Sequence, residues 1–235
     1  MNQLLVSPTD FIATDRVRIS DRRLQHLNQI HKASVGQSLR AGCLNGLQGE
    51  ATILAIDQQA AELQLNLHSQ PPAKLPLTLI LALPRPKMLR RTLQTIASMG
   101  VNTLVLINSY RVEKSFWQTP FLQPDAINAE LILGLEQARD TVLPEVILAK
   151  RFKPFVEDEL PALAVNTRGI IAHPGDYPEC PRALTEPVTL AIGPEGGWIP
   201  YEVDLLAQAG LQPVQIGERI LRVETAVPAL LARLF

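Results

Sequence analysis

What this 235-residue sequence lacks narrows it before any motif is read. It has only two cysteines, Cys43 and Cys180, far apart, and no CxxC or Cys/His cluster. That argues against both a disulfide framework and a zinc site, so no metal is expected, and it fits a reducing cytoplasm. No apolar run is long enough to span a bilayer: the longest, Leu75 to Leu83, is short and holds Pro76 and Thr78. The first residues, Met1 to Pro8, have neither a charged start nor a long apolar stretch, so no signal peptide is expected. Neither sign of charge dominates, with 22 Lys+Arg against 23 Asp+Glu and a net charge of −1. Total charge therefore does not announce a nucleic-acid partner; only its distribution can. There is no Gly-x-Gly-x-x-Gly, which disfavours a Rossmann-type cofactor site, and no internal repeat. What is present is 46% hydrophobic and 19% charged residues, enough for a packed core in one large domain or two small ones.

Residues 1–70 read as a small β-rich domain. Strands are expected at Asn2–Val6, Arg16–Ile19, Ser38–Ala41, Glu50–Ile56 and Glu62–Leu67, punctuated by Gly36, Gly42, Asn45-Gly46 and Gly49. A helix over Ser20–Ile30 is expected, capped by Ser20, with Leu24, Leu27 and Ile30 on one face. Short strands with regular turn signals suggest a small barrel. Residues 71–76 lie in a proline-rich linker. Beyond it, strands at Leu77–Leu83, Asn102–Ile107, Val146–Ala149 and Gly169–Ala172 alternate with helices at Lys87–Met99, Pro124–Arg139 and Pro154–Leu163. This predicts an α/β domain over 77–235 with a mostly parallel sheet and helices on both sides.

The most informative stretch is Leu190-Ala-Ile-Gly-Pro-Glu-Gly-Gly-Trp198 and the loop that answers it, Ile216-Gly-Glu-Arg-Ile-Leu-Arg-Val-Glu-Thr-Ala226. Val188–Ile192 reads as a buried strand. Gly193, Gly196 and Gly197 let the following backbone approach a ligand closely. Pro200 opens a helix that stops at Gly210, a strand is expected over Pro213–Ile216, and a last helix follows Gly217. Strand, glycine loop, helix, repeated, describes a ligand site at the carboxyl ends of strands.

Together, in this order and spacing, the paired motifs resemble the bacterial 16S rRNA uridine N3-methyltransferase family (RsmE type) of the SPOUT class. The resemblance implies a PUA-like, RNA-binding β-barrel over residues 1–70 and a SPOUT-type domain with a C-terminal trefoil knot. It also implies S-adenosylmethionine as cofactor, held by Ala172, His173, Pro174, Ile192, Gly193, Gly196, Gly197, Ile216, Gly217, Ile220, Leu221 and Arg222. Implied partners are ribosomal RNA or the small ribosomal subunit and a second copy of the chain in a homodimer. No membrane partner is expected. The sequence departs from the family in Ile199-Pro200, which replaces the usual capping hydroxyl, and at Ser98-Met99-Gly100 and Asn2-Gln3-Leu4.

Methylating uracil N3 requires a weakly acidic proton to leave and negative charge to spread onto the carbonyl oxygens. Arg222 suits the second task, since a guanidinium can face a carbonyl-flanked anion with several donors. Glu195 and Glu224 are the candidate bases. Between Glu62 and Glu113 no acidic residue occurs, while Arg85, Lys87, Arg90, Arg91 and Arg111 do. With Arg16, Arg18, Arg22 and Arg23 these are the expected RNA contacts, set against the plainer reading of solvated basic faces. Rival readings are a non-catalytic RNA-binding or ribosome-assembly factor that keeps the fold, a paralogue with another RNA target, and an enzyme whose glycine loop cradles a phosphate. The last is disfavoured by the missing Lys-Ser/Thr after the loop.

Overall fold

The computed structural model describes residues 2–235, which form two compact units: residues 2–73 with Ile132–Leu143, and Lys74–Leu131 with Pro144–Phe235. The first unit is a curled six-stranded sheet built from β1 (Leu4–Val6), β2 (Phe11–Ala13), β3 (Arg16–Ile19), β4 (Ser38–Cys43), β5 (Gln48–Ile56) and β6 (Ala61–Ser69). Its order is β1-β4-β5-β6-β3-β2, with β1 and β4 parallel and the other neighbours antiparallel. Strand periodicity decides the faces. In β3, Val17 and Ile19 are buried in a cluster with Leu4, Leu24, Ile53 and Leu63, and Arg16 and Arg18 point to solvent.

The helix expected over Ser20–Ile30 is different in kind. Asp21, not Ser20, caps it, accepting the Arg23 N–H at 2.9 Å. Regular α1 covers only Arg22–His26 and widens into a π-helical turn over Leu27–His31 that ends at Lys32, with φ of 48°. The wider turn carries Ile30 off the buried face, and it is 68% exposed, whereas Leu24 and Leu27 remain buried.

Arg23, expected to contact RNA, is instead buried and spent inside this unit. Its guanidinium donates to Asp10 Oδ2 at 2.7 Å and Oδ1 at 2.8 Å, to Asp21 Oδ2 at 2.8 Å, and to the Leu5 carbonyl at 2.8 Å. The sequence pattern could not separate it from Arg22 beside it, whose guanidinium is half exposed and bonded to Glu136 at 2.8 and 2.9 Å. Burial pushes the Asp10 and Asp21 carboxyls up, but the hydrogen bonds and charge of Arg23, with backbone N–H donors, hold both below the ordinary value of 3.8. Groups with depressed folded values stabilise the fold above the unfolded value and lose that contribution as pH falls through the folded one. The network should therefore fail only below about pH 4. Arg23→Ala leaves two carboxylates facing one another without a counter-charge, and should cost about 3 kcal/mol or more in urea unfolding at pH 7. The deficit should shrink in acid, where the wild-type protein loses the same interaction.

The second unit carries the parallel sheet. Its elements are β7 (Leu75–Ala82), α2 (Pro86–Ser98), β8 (Val101–Ile107), α3 (Pro124–Ala138), β9 (Glu145–Ala149), α4 (Phe152–Pro154), α5 (Leu160–Leu163), β10 (Arg168–Ala172), β11 (Val188–Ile192), α6 (Pro200–Gln208), β12 (Gln212–Val214) and α7 (Val223–Leu234). The order is β12-β10-β11-β7-β8-β9, and every pairing is parallel. The central strands are covered on both faces, which is why they read as unbroken apolar runs: Leu79, Ile80, Leu81, Leu104, Val105 and Leu190 are inaccessible to solvent. Each such side chain contributes roughly 1.5–3 kcal/mol.

Two expectations are corrected here. Strand β7 starts at Leu75, inside the expected linker; Pro76 is accommodated because pairing with β8 slips between Leu75 and Thr78. The helix expected over Pro154–Leu163 is broken by a π-helical turn, Phe155–Glu159, lying between Pro154 and Pro161, neither of which can donate an N–H. The last helix starts at Val223 with Arg222 as its cap, and Pro228 lies inside it.

Candidate functional site

The register of the parallel sheet assembles the site. Ala172 pairs with Ile192 on one side and with Val214 on the other. Strands β10, β11 and β12 thus end side by side, and the three loops leave at one level, as expected at the carboxyl edge of an open parallel sheet. The loops border a cleft of about 680 Å³ when the open solvent at its mouth is counted. Apolar walls come from Ile192, Val214, Ile216 and Leu221, and the far wall from Val223, Ala226 and Leu230 of α7.

The first loop begins with His173, whose backbone N–H donates to the Val214 carbonyl at 3.0 Å. Its imidazole lies 5.8 Å from the Tyr177 ring, and its buried Nδ1 has no hydrogen-bond partner among the described residues. Burial, then the charge of Arg111, hold its pKa below the ordinary histidine value, so the ring is neutral at pH 7. The second loop closes as a tight turn, with Gly197 N–H donating to the Pro194 carbonyl at 2.7 Å and Gly197 at φ of 74°. Gly193 is buried beneath it. A β-carbon there would lie 3.0 Å from the Trp198 nitrogen and 3.3 Å from the Gly197 carbonyl carbon. Trp198 is not available to stack on a ligand: it is 2% exposed and packs 5.7 Å from the Phe152 ring. In the third loop Gly217 has φ of 128°, and Ile220 is 79% exposed.

One buried carboxylate organises the surroundings. Glu202, in the first turn of α6, accepts the Ile199 N–H at 3.0 Å through Oε2 and the Tyr110 N–H at 2.7 Å through Oε1. The missing capping hydroxyl at Ile199 therefore removes only half of the usual reciprocal cap; the glutamate half survives. From the same Tyr110-Arg111 segment, the Arg111 guanidinium donates to the Gly196 carbonyl.

Of the expected cofactor contacts, Ala172, His173, Pro174, Ile192, Gly193, Gly197, Ile216, Gly217, Ile220 and Leu221 line the cleft. Gly196 and Arg222 do not: Gly196 lies against the Arg111 side chain, and Arg222 caps α7 with its side chain exposed. Glu195 lines the cleft and is exposed; Glu224 sits half-buried in the first turn of α7, off the lining. Sequence reasoning missed Val223, Ala226 and Leu230, although their i, i+3, i+7 spacing marked one helix face. It also missed the second bond of Glu202, which no local pattern announces.

The expected RNA contacts divide. In the first unit Arg16 and Arg18 are exposed, Arg22 is paired with Glu136, and Arg23 is buried. In the second, Arg85, Lys87 and Arg91 are exposed at the start of α2, while Arg90 is bound to Glu130 and lies 5.2 Å over the Phe121 ring. Among the described residues no group of histidine, cysteine and acidic side chains is arranged to hold a metal ion, and no helix is long and apolar enough to cross a membrane.

The chain is similar to proteins of known kind. Residues 71–235 match the RNA methyltransferase domain family. Ribosomal RNA small subunit methyltransferase E of Treponema pallidum is 31% identical over 219 residues, covering 89% of this chain and 80% of the relative. The protein of the same name from Synechocystis is 28% identical, covering 99% and 76%. In structure, the Neisseria gonorrhoeae ribosomal RNA small subunit methyltransferase E, bound to S-adenosylmethionine, superposes with a TM-score of 0.73 at 21% identity, over 99% of this chain and 95% of that one. A Legionella pneumophila methyltransferase structure, also holding S-adenosylmethionine, gives 0.71 at 22% identity, over 98% and 94%. At these identities the two superpositions establish the fold, and the sequence matches establish the kinship: the chain belongs to the RNA methyltransferase family represented by ribosomal RNA small subunit methyltransferase E.

Proposed function

We propose that this protein is an S-adenosylmethionine-dependent methyltransferase acting on N3 of a uridine in 16S ribosomal RNA, in the cytoplasm. The observation that carries the reading is the cleft where β10, β11 and β12 end level, because its lining fits the cofactor. Gly193 lets the loop close tightly over it, where a β-carbon would meet the Trp198 nitrogen at 3.0 Å, the His173 Nδ1 is a buried polar atom awaiting a partner, and apolar side chains supply the walls an adenine requires. Relatives of this family carry the matching name, and two structural neighbours hold that cofactor.

When bound, the cofactor supplies an electrophilic methyl group. The chain's own residues supply the rest. Glu195, which lines the cleft, is favoured over Glu224 as acceptor of the uracil N3 proton. Arg222 stabilises the charge that spreads to the flanking carbonyl oxygens as that proton leaves. Arg16, Arg18, Arg85, Lys87, Arg91 and Arg111 contact phosphate; Arg23 leaves the set because its donors are already used.

Three finer features belong to the same reading. The curled sheet of the first unit is a PUA-like barrel, supported by its six short strands in mixed order. The C-terminal segment forms a trefoil knot, supported by the position of β10 between β11 and β12. The protein is a homodimer, supported by the small exposed Ala229 and Ala232 on α7 beside Leu221.

Calorimetric titration with S-adenosylhomocysteine, and methyl transfer from tritiated S-adenosylmethionine to small ribosomal subunits that lack the modification, test the reading together. Saturable binding and transfer to a single uridine are expected. Binding to subunits without cofactor affinity or transfer would favour a non-catalytic assembly factor instead.

A further inference from the structure

Tyr110 is 80% exposed, although an aromatic ring in water gives up burial worth a few kcal/mol. Its backbone is not loose. The N–H is held at 2.7 Å by Glu202 Oε1, and Glu202 itself is 2% exposed. A buried carboxylate accepting two backbone N–H groups is a strong anchor, since each bond is charge-assisted. The next residue, Arg111, reaches the Gly196 carbonyl, in the turn whose Gly193, Pro194, Glu195 and Gly197 line the cleft. The Arg111 charge also acts on His173, a second residue of the cleft. The ring is thus free at its face, fixed at its root, and one residue from a side chain that touches the cofactor loop.

An enzyme that modifies an atom engaged in base pairing must take that base out of its helix and hold it. Aromatic faces do this for any base, and a neighbouring guanidinium adds affinity for the phosphate. We infer that Tyr110 is the platform on which the substrate RNA stacks a base at the mouth of the cleft, with Arg111 fixing the loop that presents it. The inference rests on the proposed RNA-methyltransferase function and names a positioning residue for it. Nothing in the Tyr110 side chain is required for cofactor binding or for the fold.

Tyr110→Ala, Tyr110→Phe and Tyr110→Leu should be compared with the wild-type protein, using small ribosomal subunits that lack the modification as the probe. Stacking on one base is worth about 5- to 150-fold by alanine substitution. Tyr110→Ala should therefore weaken subunit binding and raise KM for subunits about tenfold or more. Its affinity for S-adenosylhomocysteine should be unchanged. Tyr110→Phe should restore wild-type behaviour, and Tyr110→Leu should not, because bulk without a π-face does not stack. Wild-type subunit affinity in Tyr110→Ala would overturn the inference, and so would a Tyr110→Phe protein as weak as the alanine variant, which would place the effect in the hydroxyl. A wild-type protein that binds subunits yet transfers no methyl group would overturn the enzymatic reading alone, and the binding arm would still decide the role of Tyr110.

Discussion

Gly193→Val should reduce affinity for S-adenosylhomocysteine by about a hundredfold in calorimetry. The first added carbon would sit 3.0 Å from the Trp198 nitrogen and 3.3 Å from the Gly197 carbonyl carbon. Both contacts are to backbone, so no side chain can swing aside. The turn held by the Gly197–Pro194 hydrogen bond must shift, and its Gly193, Pro194, Glu195 and Gly197 line the cleft. Overpacking of this kind costs about 1–3 kcal/mol, or about 5- to 150-fold in affinity if the strain falls on the bound form. Valine, with two further carbons, belongs at the upper end; Gly193→Ala should lose about tenfold. The melting temperature should fall by only a few degrees, because the sheet below does not depend on the turn. Wild-type affinity in the valine variant would remove the cofactor from this cleft.

Arg222→Ala should lower kcat about 10²- to 10³-fold while affinity for S-adenosylhomocysteine stays within about threefold. Removing one donor to a developing oxyanion has a cost of this size. Stability should scarcely change, since the Arg222 side chain is exposed and makes no cap bond to α7. Arg222→Lys should recover only part of the rate, because an ammonium is a point charge and cannot face two oxygens as a planar fork does. Single-turnover methyl transfer to small subunits separates the step from product release. An equal loss of cofactor affinity and rate would make Arg222 a cofactor ligand, and no loss of either would remove it from the reaction.

The parallel sheet was legible because burial on both faces writes itself into composition: Val188–Ile192 has the same bounds in pattern and in structure. The two glycine loops were legible for a related reason, as left-handed backbone at Gly197 and Gly217 restricts which residues can serve. What escaped was whatever depends on distant partners. Arg22 and Arg23 are neighbours of one chemistry, and only Asp10, Asp21 and the Leu5 carbonyl decide that the second is internal. Glu202 sits in the first turn of α6, and its tie to Tyr110 spans 92 residues. The π-helical turns at Leu27–His31 and Phe155–Glu159 keep a helical hydrophobic pattern in sequence while shifting its phase in space.

The discontinuous first unit has a consequence for how the chain acquires its shape during synthesis. All six of its strands have been made once Ser69 has left the ribosome, yet Arg22 finds Glu136 only 114 residues after itself, and the Asn2 amide bonds Gln137 across 135. For more than a quarter of translation the early sheet must wait for its last contacts, with Glu136 still unmade. Loop closure over such distances is slow, and an incomplete sheet edge is prone to pairing with other chains. The cleft comes later still, since its far wall ends at Leu230. Cofactor affinity should therefore appear in a nascent chain only after the last helix has emerged, well after Arg16 and Arg18 of the first sheet have been made.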